Sequence, residues 1–425
     1  MFPSYHQPTF HLTIEDEDLP AIVAEEITAL TFEDAEGELD LLELTLANRN
    51  GQLTDHPLFQ EGNAIIVQFG YVDDLSPPKH CVIKDITYDF PESDAPRISV
   101  KAYDRGFQLS GKETQRVWTK PAPGILYSDI AETIASENGL QALVAPTRVP
   151  HLRVIQSNQS DAVFLTELAK SARAQDGDGL TGYVFYVEDD VLHFHPPNHD
   201  TEPKAHFAYF TDGDSILRSF RAEIRAQGVK SRGTEVKTIG VDPREKKVVE
   251  HRASNQTAGD RPILGERTYL VDGNTGETRF KPSESGHIQP AFARAEYLHK
   301  ESAVKPEQAQ AEGTFKQGEF LQVTATATTI GFPSLKAKQN VMITGVGEKL
   351  SGVYYCRTVR HQIDSNGYQC ELTLRKNALG TGAGAKSEEA KGKQVGKGQP
   401  QPTPAGPDLI RVDADTGAIL GRGPR

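Results

Sequence analysis

The sequence predicts a mainly β protein with an α/β insertion in its middle. Short runs of alternating apolar residues, separated by turn residues, fill the first hundred positions and return after His206, as in a barrel or sandwich. Between them, from Lys112, apolar residues fall at helical spacing instead. The third observation is the stretch 331–375, GFPSLKAKQNVMITGVGEKLSGVYYCRTVRHQIDSNGYQCELTLR, in which residues 340–346, 353–363 and 368–375 are rich in Val, Ile, Thr and Tyr.

Residues 9–14, 22–32, 41–47, 64–71, 80–88 and 97–103 read as strands. In the last of these Ile98, Val100 and Ala102 alternate with Ser99 and Lys101, which makes one face dry and one wet. Asp129 then stands before a stripe of Ile130, Ala131, Ile134 and Ala135, with Glu132 placed for a capping box and Gly139 as a stop. A second helix starts at Ser160 and carries Phe164, Leu165, Leu168, Ala169 and Ala172 on one face. Residues 183–187 and 191–194 flank Glu188-Asp189-Asp190 as a hairpin that ends in Pro196-Pro197.

Strands resume at 206–210, 215–226, 229–241 and 246–253, and 269–272 with 277–280 reads as a hairpin or an exposed loop. A helix is expected over 289–305, with Ala291, Ala295, Leu298 and Ser302 on one stripe, before a strand over 316–329. In the final hairpin Asn366-Gly367 is the preferred pair for a tight turn. Tyr355, Val359 and Ile363 should share one face, as should Tyr368, Cys370, Leu372 and Leu374 on its partner. A two-residue Asn366-Gly367 loop would set Cys356 opposite Asn377 and Cys370 opposite Ile363, so the three cysteines are expected as free thiols. Beyond Leu379, GTGAGAKSEEAKGKQVGKGQPQPTPAGP has the composition of a flexible linker. DLIRVDADTGAIL then regains alternation, as a strand donor to a neighbour or as a frayed terminus.

The 425 residues carry 37% hydrophobic and 25% charged side chains, the balance of a folded domain with ample burial. No apolar run approaches the roughly 18 residues of a membrane span, and neither a signal peptide nor an anchor is expected. A net charge of −13 argues against specific nucleic-acid binding, which needs surplus Lys and Arg.

Candidate chemistry is sparse. His193 and His195 share a strand face, with His199 and His206 beyond, but the pattern lacks a third ligand at fixed spacing and reads as a solvated face. Asp272, Asn274 and Glu277, and Asp413, Asp415 and Gly417, are fragments of calcium loops that turn chemistry explains. Carboxylate pairs such as Asp16-Glu17 and Asp189-Asp190 are uninformative in a chain with 59 Asp and Glu. Asp104 and Arg105 read as a surface ion pair. The acidic 15–18 and basic 244–247 stretches read as solvated loops, or as rim charges that steer docking.

Gly331, Gly345, Gly347, Ser351, Gly352, Tyr354, Tyr355, Val359, His361, Gly367 and Tyr368 form an ordered pattern. It resembles the late control protein D family, the central hub proteins of contractile phage tail baseplates and related injection systems, including the hub portion of valine-glycine repeat spike proteins. The segment YDRGFQL at 103–109 and the helix, loop, hairpin and Phe-x-Pro-Pro order up to Pro197 are similar to that family too.

The resemblance implies two tail-tube-like β-barrel domains, at 1–110 and 204–379, the second with the helix at 289–305. Between them lies the α/β insertion at 111–203, and a linker at 380–407 and a tail at 408–425 follow. Three chains would form a pseudo-sixfold ring that joins a trimeric spike to a hexameric inner tube and starts tube assembly. Its partners would be its own copies in a homotrimer, the spike protein, the tail tube or tube-initiator protein, and other baseplate components. Such a protein is made and assembled in the bacterial cytoplasm and ends in a phage virion or phage-tail-like particle. The role is structural, so no catalytic residue, cofactor or metal is expected, and the hairpin tips Asp73, Asp74, Asn366 and Gly367 are the expected partner-interface loops. Two other classes compete: a tail-tip cell-wall hydrolase, which needs a further domain, and a carbohydrate-binding β protein, which needs exposed aromatics. The single tryptophan, Trp118, precedes a Pro-rich bend instead.

Overall fold

Alternation builds the first β region strand by strand: β1 (Pro8–Ile14), β2 (Glu17–Asp18), β3 (Ile27–Ala35), β4 (Leu41–Ala47), β5 (Ala64–Tyr71), β6 (Asp74–Leu75), β7 (Lys79–Asp89) and β8 (Arg97–Tyr103). Leu42, Leu44 and Leu46 point inward from β4, and Ile98, Val100 and Ala102 from β8. The strand expected from residue 22 is displaced by a one-turn helix, α1 (Ala21–Ala24), which buries Val23 before β3 begins. The computed structural model describes residues 7–172, 182–199, 201–209, 217–224, 235–242, 247–254, 264, 287–290, 296–298, 323–377, 380, 409–412 and 419–423.

The insertion holds β9 (Glu113–Thr119), α2 (Tyr127–Glu137), β10 (Gln141–Val144), β11 (His151–Ser160), α3 (Asp161–Ser171), β12 (Val184–Glu188) and β13 (Val191–His195). Its core is its own: Trp118, Ile130, Ile134, Phe164, Leu165 and Phe194 pack together. α3 opens one residue after the expected Ser160, which caps it, its Oγ accepting from Val163 N at 3.4 Å. α2 opens two residues earlier than its expected cap. Asp129 lies in the first turn and its Oδ2 accepts from Leu126 N at 3.0 Å, which satisfies a backbone donor at the helix start.

The last region contributes β14 (Ala205–Ala208), β15 (Leu217–Ile224), β16 (Glu235–Asp242), β17 (Lys247–Ser254), β18 (His287–Pro290), β19 (Glu296–Leu298), β20 (Val323–Ile330), β21 (Gln339–Thr344), β22 (Gly352–Asp364) and β23 (Gly367–Lys376). Within 289–305, expected as helix, the described residues are extended. Gln289 and Pro290 close β18, and β19 pairs with β11, Leu298 opposite His151 and Glu296 opposite Arg153. The edge of β11 offers backbone partners that a weak alanine stripe does not match. The hairpin expected at 269–280 lies outside the described residues.

One sheet joins the two β regions, in the order β15-β20-β23-β22-β3-β4-β8-β7-β5-β1-β2. The seam is antiparallel pairing of β3 with β22, from Leu30 opposite Ile363 to Ala35 opposite Thr358. Leu12, Phe32, Leu44 and Val67 share a core with Val341, Tyr354, Val359 and Leu372. Each such side chain taken fully out of water contributes about 1.5–3 kcal/mol. The sequence from Lys386 forms a separate unit, in which β24 (Leu409–Val412) and β25 (Ile419–Gly423) pair as a hairpin.

The final hairpin departs from its expected register. Asp364 pairs with Gly367, so Ser365 and Asn366 make the loop. Asp364 Oδ1 accepts from Asn366 N at 2.7 Å, which draws the turn back by one residue and leaves the positive φ, 104°, to Gly367 alone. Cys370 therefore faces His361, and Cys356 faces Leu374. All three cysteines are free and buried. A β-bulge between Cys356 and Thr358 also reverses parity, so that Tyr354 and Cys356, not Tyr355, share the core face with Val359 and Ile363. Tyr355 packs on the other side, with Val353 and Leu264.

Candidate functional site

Strand parity places Asp34 on the inward face of β3, beside Leu30 and Phe32. A carboxylate there needs partners, and the turn before β21 brings them. Lys338 Nζ donates to Asp34 Oδ1, and Ala337 N donates to Asp34 Oδ2 at 2.8 Å. Lys338 Nζ also lies 3.7 Å from Asp40 Oδ1 and 4.5 Å from the centre of the Tyr186 ring. Asp104 Oδ2 accepts from Asp40 N at 2.7 Å, and its Oδ1 accepts from Gly106 N at 2.5 Å.

The β12–β13 turn closes the cluster from the insertion side. Asp189 and Asp190 take φ of 49° and 65° there, as a mirror-type turn requires. Glu188 Oε1 accepts from Lys336 Nζ at 2.7 Å and from Lys79 Nζ at 3.2 Å. Arg105 reaches Asp190 at 3.4 Å. The surface pair expected between Asp104 and Arg105 is thus replaced: Asp104 is buried as a cap, and Arg105 turns outward to the insertion.

Burial opposes the charge on Lys338, but Asp34 and Asp40 outweigh it and hold the amine protonated beyond its ordinary range. Burial and then Asp34 push the Asp40 carboxyl well up. Burial works against Glu188 as well, yet Lys79 and Lys338 bring it down to about 2. Asp34 is 2% exposed and Lys338 7%, so the pair at the centre of the cluster is closed to solvent, while Lys336, Asp189, Asp190 and Arg105 at its edge stay partly exposed. What it can do is clasp together the first β region, the insertion and the last β region.

Two opposite pH effects follow. Burial pushes the Asp104 carboxyl from 3.8 up to about 6, so its contribution to stability is complete below about 4 and fades as pH rises through 6. Glu188 contributes above its ordinary 4.5, a contribution lost as pH falls towards 2. Asp104→Asn should therefore flatten the decline in unfolding midpoint between pH 4 and 6, and Glu188→Gln should flatten the acid limb; parallel profiles for wild type and both variants would refute this.

The motif residues of the last hairpin meet in a second cluster. His361 Nε2 lies 3.0 Å from Leu335 O and must donate to it, so Nδ1 accepts from the Tyr368 hydroxyl at 2.8 Å. Burial lowers that imidazole to about 4 and keeps it neutral. Cys370 Sγ is 3.3 Å from the same Nδ1, but burial pushes its thiol up to about 12, which removes it as a nucleophile. Tyr71 packs at a tilt against Tyr368, ring centres 5.4 Å apart, and its hydroxyl donates to Gly331 O at 3.2 Å.

Asp73 and Asp74 sit exposed on the β5–β6 hairpin, and Asn366 is exposed on the β22–β23 hairpin with Gly367 half-buried beside it. The Tyr71–Tyr368 contact brings the bases of these two hairpins together. His193 and His195 do share a face, which is half-buried and not fully open to solvent: His193 stacks on Tyr186 at 4.4 Å and His195 stands edge-on at 5.8 Å. Burial lowers His193 to about 4, and it lowers His199, edge-on to Tyr355 at 4.5 Å, to about 3. Trp118 is buried against Phe164, with the Arg116 guanidinium 3.7 Å from its ring. Glu15–Asp18 stay exposed at the β1–β2 turn. Asp272, Asn274, Glu277, Asp413, Asp415, Gly417 and residues 244–246 lie outside the described residues. Among the described residues no three His, Cys, Asp or Glu are placed to hold a metal ion.

Sequence reasoning missed Asp34, Asp40, Lys79, Glu188 and Lys338. An acidic residue on the apolar face of a strand was the one local signal, at Asp34.

A family model described as the Alg8 N-terminal domain matches residues 35–365, more than half of the chain. The chain belongs to that family. The chain is also 31% identical over 168 residues to the probable baseplate hub protein of Escherichia phage 186; the match spans 38% of this chain and 40% of that protein. A tail protein from Neisseria meningitidis superposes with a TM-score of 0.60 at 11% identity, over 88% of this chain and 98% of that one. An E. coli protein described as a component of the type VI secretion system superposes with a TM-score of 0.50 at 10% identity, over 95% and 86%. At such identities the two structures speak for a shared fold. The resemblance to baseplate hub proteins seen in the sequence is borne out.

Proposed function

We propose that this protein is the central hub of a contractile tail or injection-system baseplate, joining a trimeric spike to a hexameric inner tube and starting tube assembly. It acts by shape and contact, without catalysis. The observation that carries the reading is the β3–β22 seam, which sets the two β regions of one chain edge to edge. Two tube-like barrels per chain, 1–110 and 204–379, repeated by the same kind of edge contact in a homotrimer, give six seats around an axis, and closed ring symmetry satisfies every repeated edge. The Asp73-Asp74 and Asn366-Gly367 hairpins are the loops proposed to meet spike, tube or tube-initiator and other baseplate proteins. Assembly would take place in the bacterial cytoplasm, and the product would be part of a virion or tail-like particle.

Light scattering of the full chain should give the mass of three copies, and electron cryo-microscopy should resolve a ring of six β modules around an open axis. A stable monomer at micromolar concentration, or a single β module per chain, would rule the reading out.

A further inference from the structure

The main sheet runs through eight strands from β15 to β7, in the order β15-β20-β23-β22-β3-β4-β8-β7, each antiparallel to the next. At one end β15 pairs with β20 and, among the described residues, with no strand on its other side. At the other end β5 pairs with β7 only from Lys79 to Val82. Ile83 then bonds the turn before β5, Gly62 N donating to Ile83 O and Ile83 N to Asn63 O, both at 2.9 Å. Beyond that point β7 pairs with β8 alone among the described strands, as far as Asp89 opposite Arg97. Alternate residues of an antiparallel strand turn N–H and C=O away from their partner, so both edges carry backbone groups set for one more strand.

Both edges also carry the core face of the sheet out to its last strand. Residues directly opposite across a ladder share a face. Ile86 lies opposite Val100 and Tyr88 opposite Ile98, both of them fully buried, yet Ile86 is half-buried and Tyr88 39% exposed. On β15, Phe220 and Ala222 lie opposite Ala327 and Ala325 of the core and are themselves only partly buried. At the β3–β22 seam the same face is closed because a strand continues it: Leu30 lies opposite Ile363 there and is wholly buried. The outer faces differ in charge. β7 exposes Asp85 and Thr87, whereas β15 exposes Ser219 and Arg221, the latter 81% exposed and 3.6 Å from Glu223.

We propose that β7 of one copy pairs with β15 of a second copy of this chain, antiparallel, with Asp85 opposite Arg221, Ile86 opposite Phe220 and Thr87 opposite Ser219. Strand direction selects this occupant. Because an even number of alternating strands runs from β15 to β7, the two edges point opposite ways. Copies related by rotation about an axis along the strands keep those directions, so the contact repeats the antiparallel order of the seam. In this register the core faces join and Asp85 meets an opposite charge. Glu223 falls opposite Ile83, where β7 is already bonded to the turn at Gly62 and Asn63 and the new ladder stops. β7 against β7 would instead crowd Asp85 and Asp89 with their own copies. The inference rests on the hub reading for the number of copies and adds the edges that join them.

Light scattering of the full chain on dilution gives the midpoint of subunit dissociation. Asp85→Arg and Arg221→Asp should each raise that midpoint at least about tenfold, and the two changes in one chain should bring it back towards wild type. A second measurement leaves the charges alone. Thr87→Cys with Ser219→Cys in one chain should give disulfide-linked chains up to the trimer on mild oxidation, since residues opposed in an antiparallel pair lie within disulfide reach and the native cysteines are buried. Either cysteine alone should not give the linked trimer. Single reversals that leave a trimeric wild type's midpoint unchanged, a charge swap that recovers nothing, or a trimeric double-cysteine variant that does not cross-link each overturn this pairing and leave the hub reading standing. A wild-type chain that stays monomeric at micromolar concentration overturns the hub reading and this pairing with it.

Discussion

Lys338→Met is expected to cost about 3–5 kcal/mol of folding stability, the usual penalty for breaking a buried ion pair from one side. The substitution keeps the length of the side chain but removes the one amine in contact with Asp34 and Asp40, leaving them only the more distant Lys79, and both carboxylates are nine-tenths or more out of water. Because the lysine touches Asp34 of β3, Asp40 ahead of β4 and the Tyr186 ring of β12, the loss should be felt in all three regions. The measurement is a denaturant unfolding curve, with hydrogen exchange to locate the opened segments. Adding Asp34→Asn to Lys338→Met should recover part of the loss, since it removes the stranded charge. A single variant within about 1 kcal/mol of wild type would show that the clasp contributes little net stability.

Gly331→Ala is expected to cost about 3 kcal/mol, at the upper end for overpacking a core. The nearest atoms to a Cβ built at this position all belong to the Tyr368 ring, which the added methyl would overlap. That ring has little room to yield: its hydroxyl is held by His361, Tyr71 covers it at 5.4 Å and Phe69 meets it edge-on at 6.3 Å. Moving it would disturb the packing of β5 on the β22–β23 hairpin. Thermal unfolding by near-ultraviolet circular dichroism reads the loss, and combining Gly331→Ala with Tyr368→Ala should cost less than the two single variants summed. Strict additivity would mean that the glycine matters for some reason other than this ring.

Several elements were legible in the sequence because the information that forms them is local. Residues 41–47, 64–71 and 97–103 are strands with the bounds their alternation predicts, and Ser160 caps α3. The motif at Gly331, His361 and Tyr368 was legible as a family resemblance, but its physical meaning was not: these residues are close because a backbone can pass against a ring, and a neutral imidazole can bridge a hydroxyl and a carbonyl. The junction of charges was almost wholly hidden. Glu188, Lys79 and Lys336 look like solvated surface residues until the β12–β13 turn is laid against β7 and the loop before β21.

Period-two alternation, turn residues and caps act over a few positions, so the sequence by itself determined that this chain is mainly β, where most strands run and where the helical insertion interrupts them. Tertiary structure alone decided which strands meet at the β3–β22 seam, how the Cys356–Thr358 bulge turns Tyr355 away from the core, and that Asp34 and Lys338, 304 positions apart, neutralise each other. Those outcomes depend on burying charge and closing ladders between distant segments, and a linear pattern does not record which segments those will be.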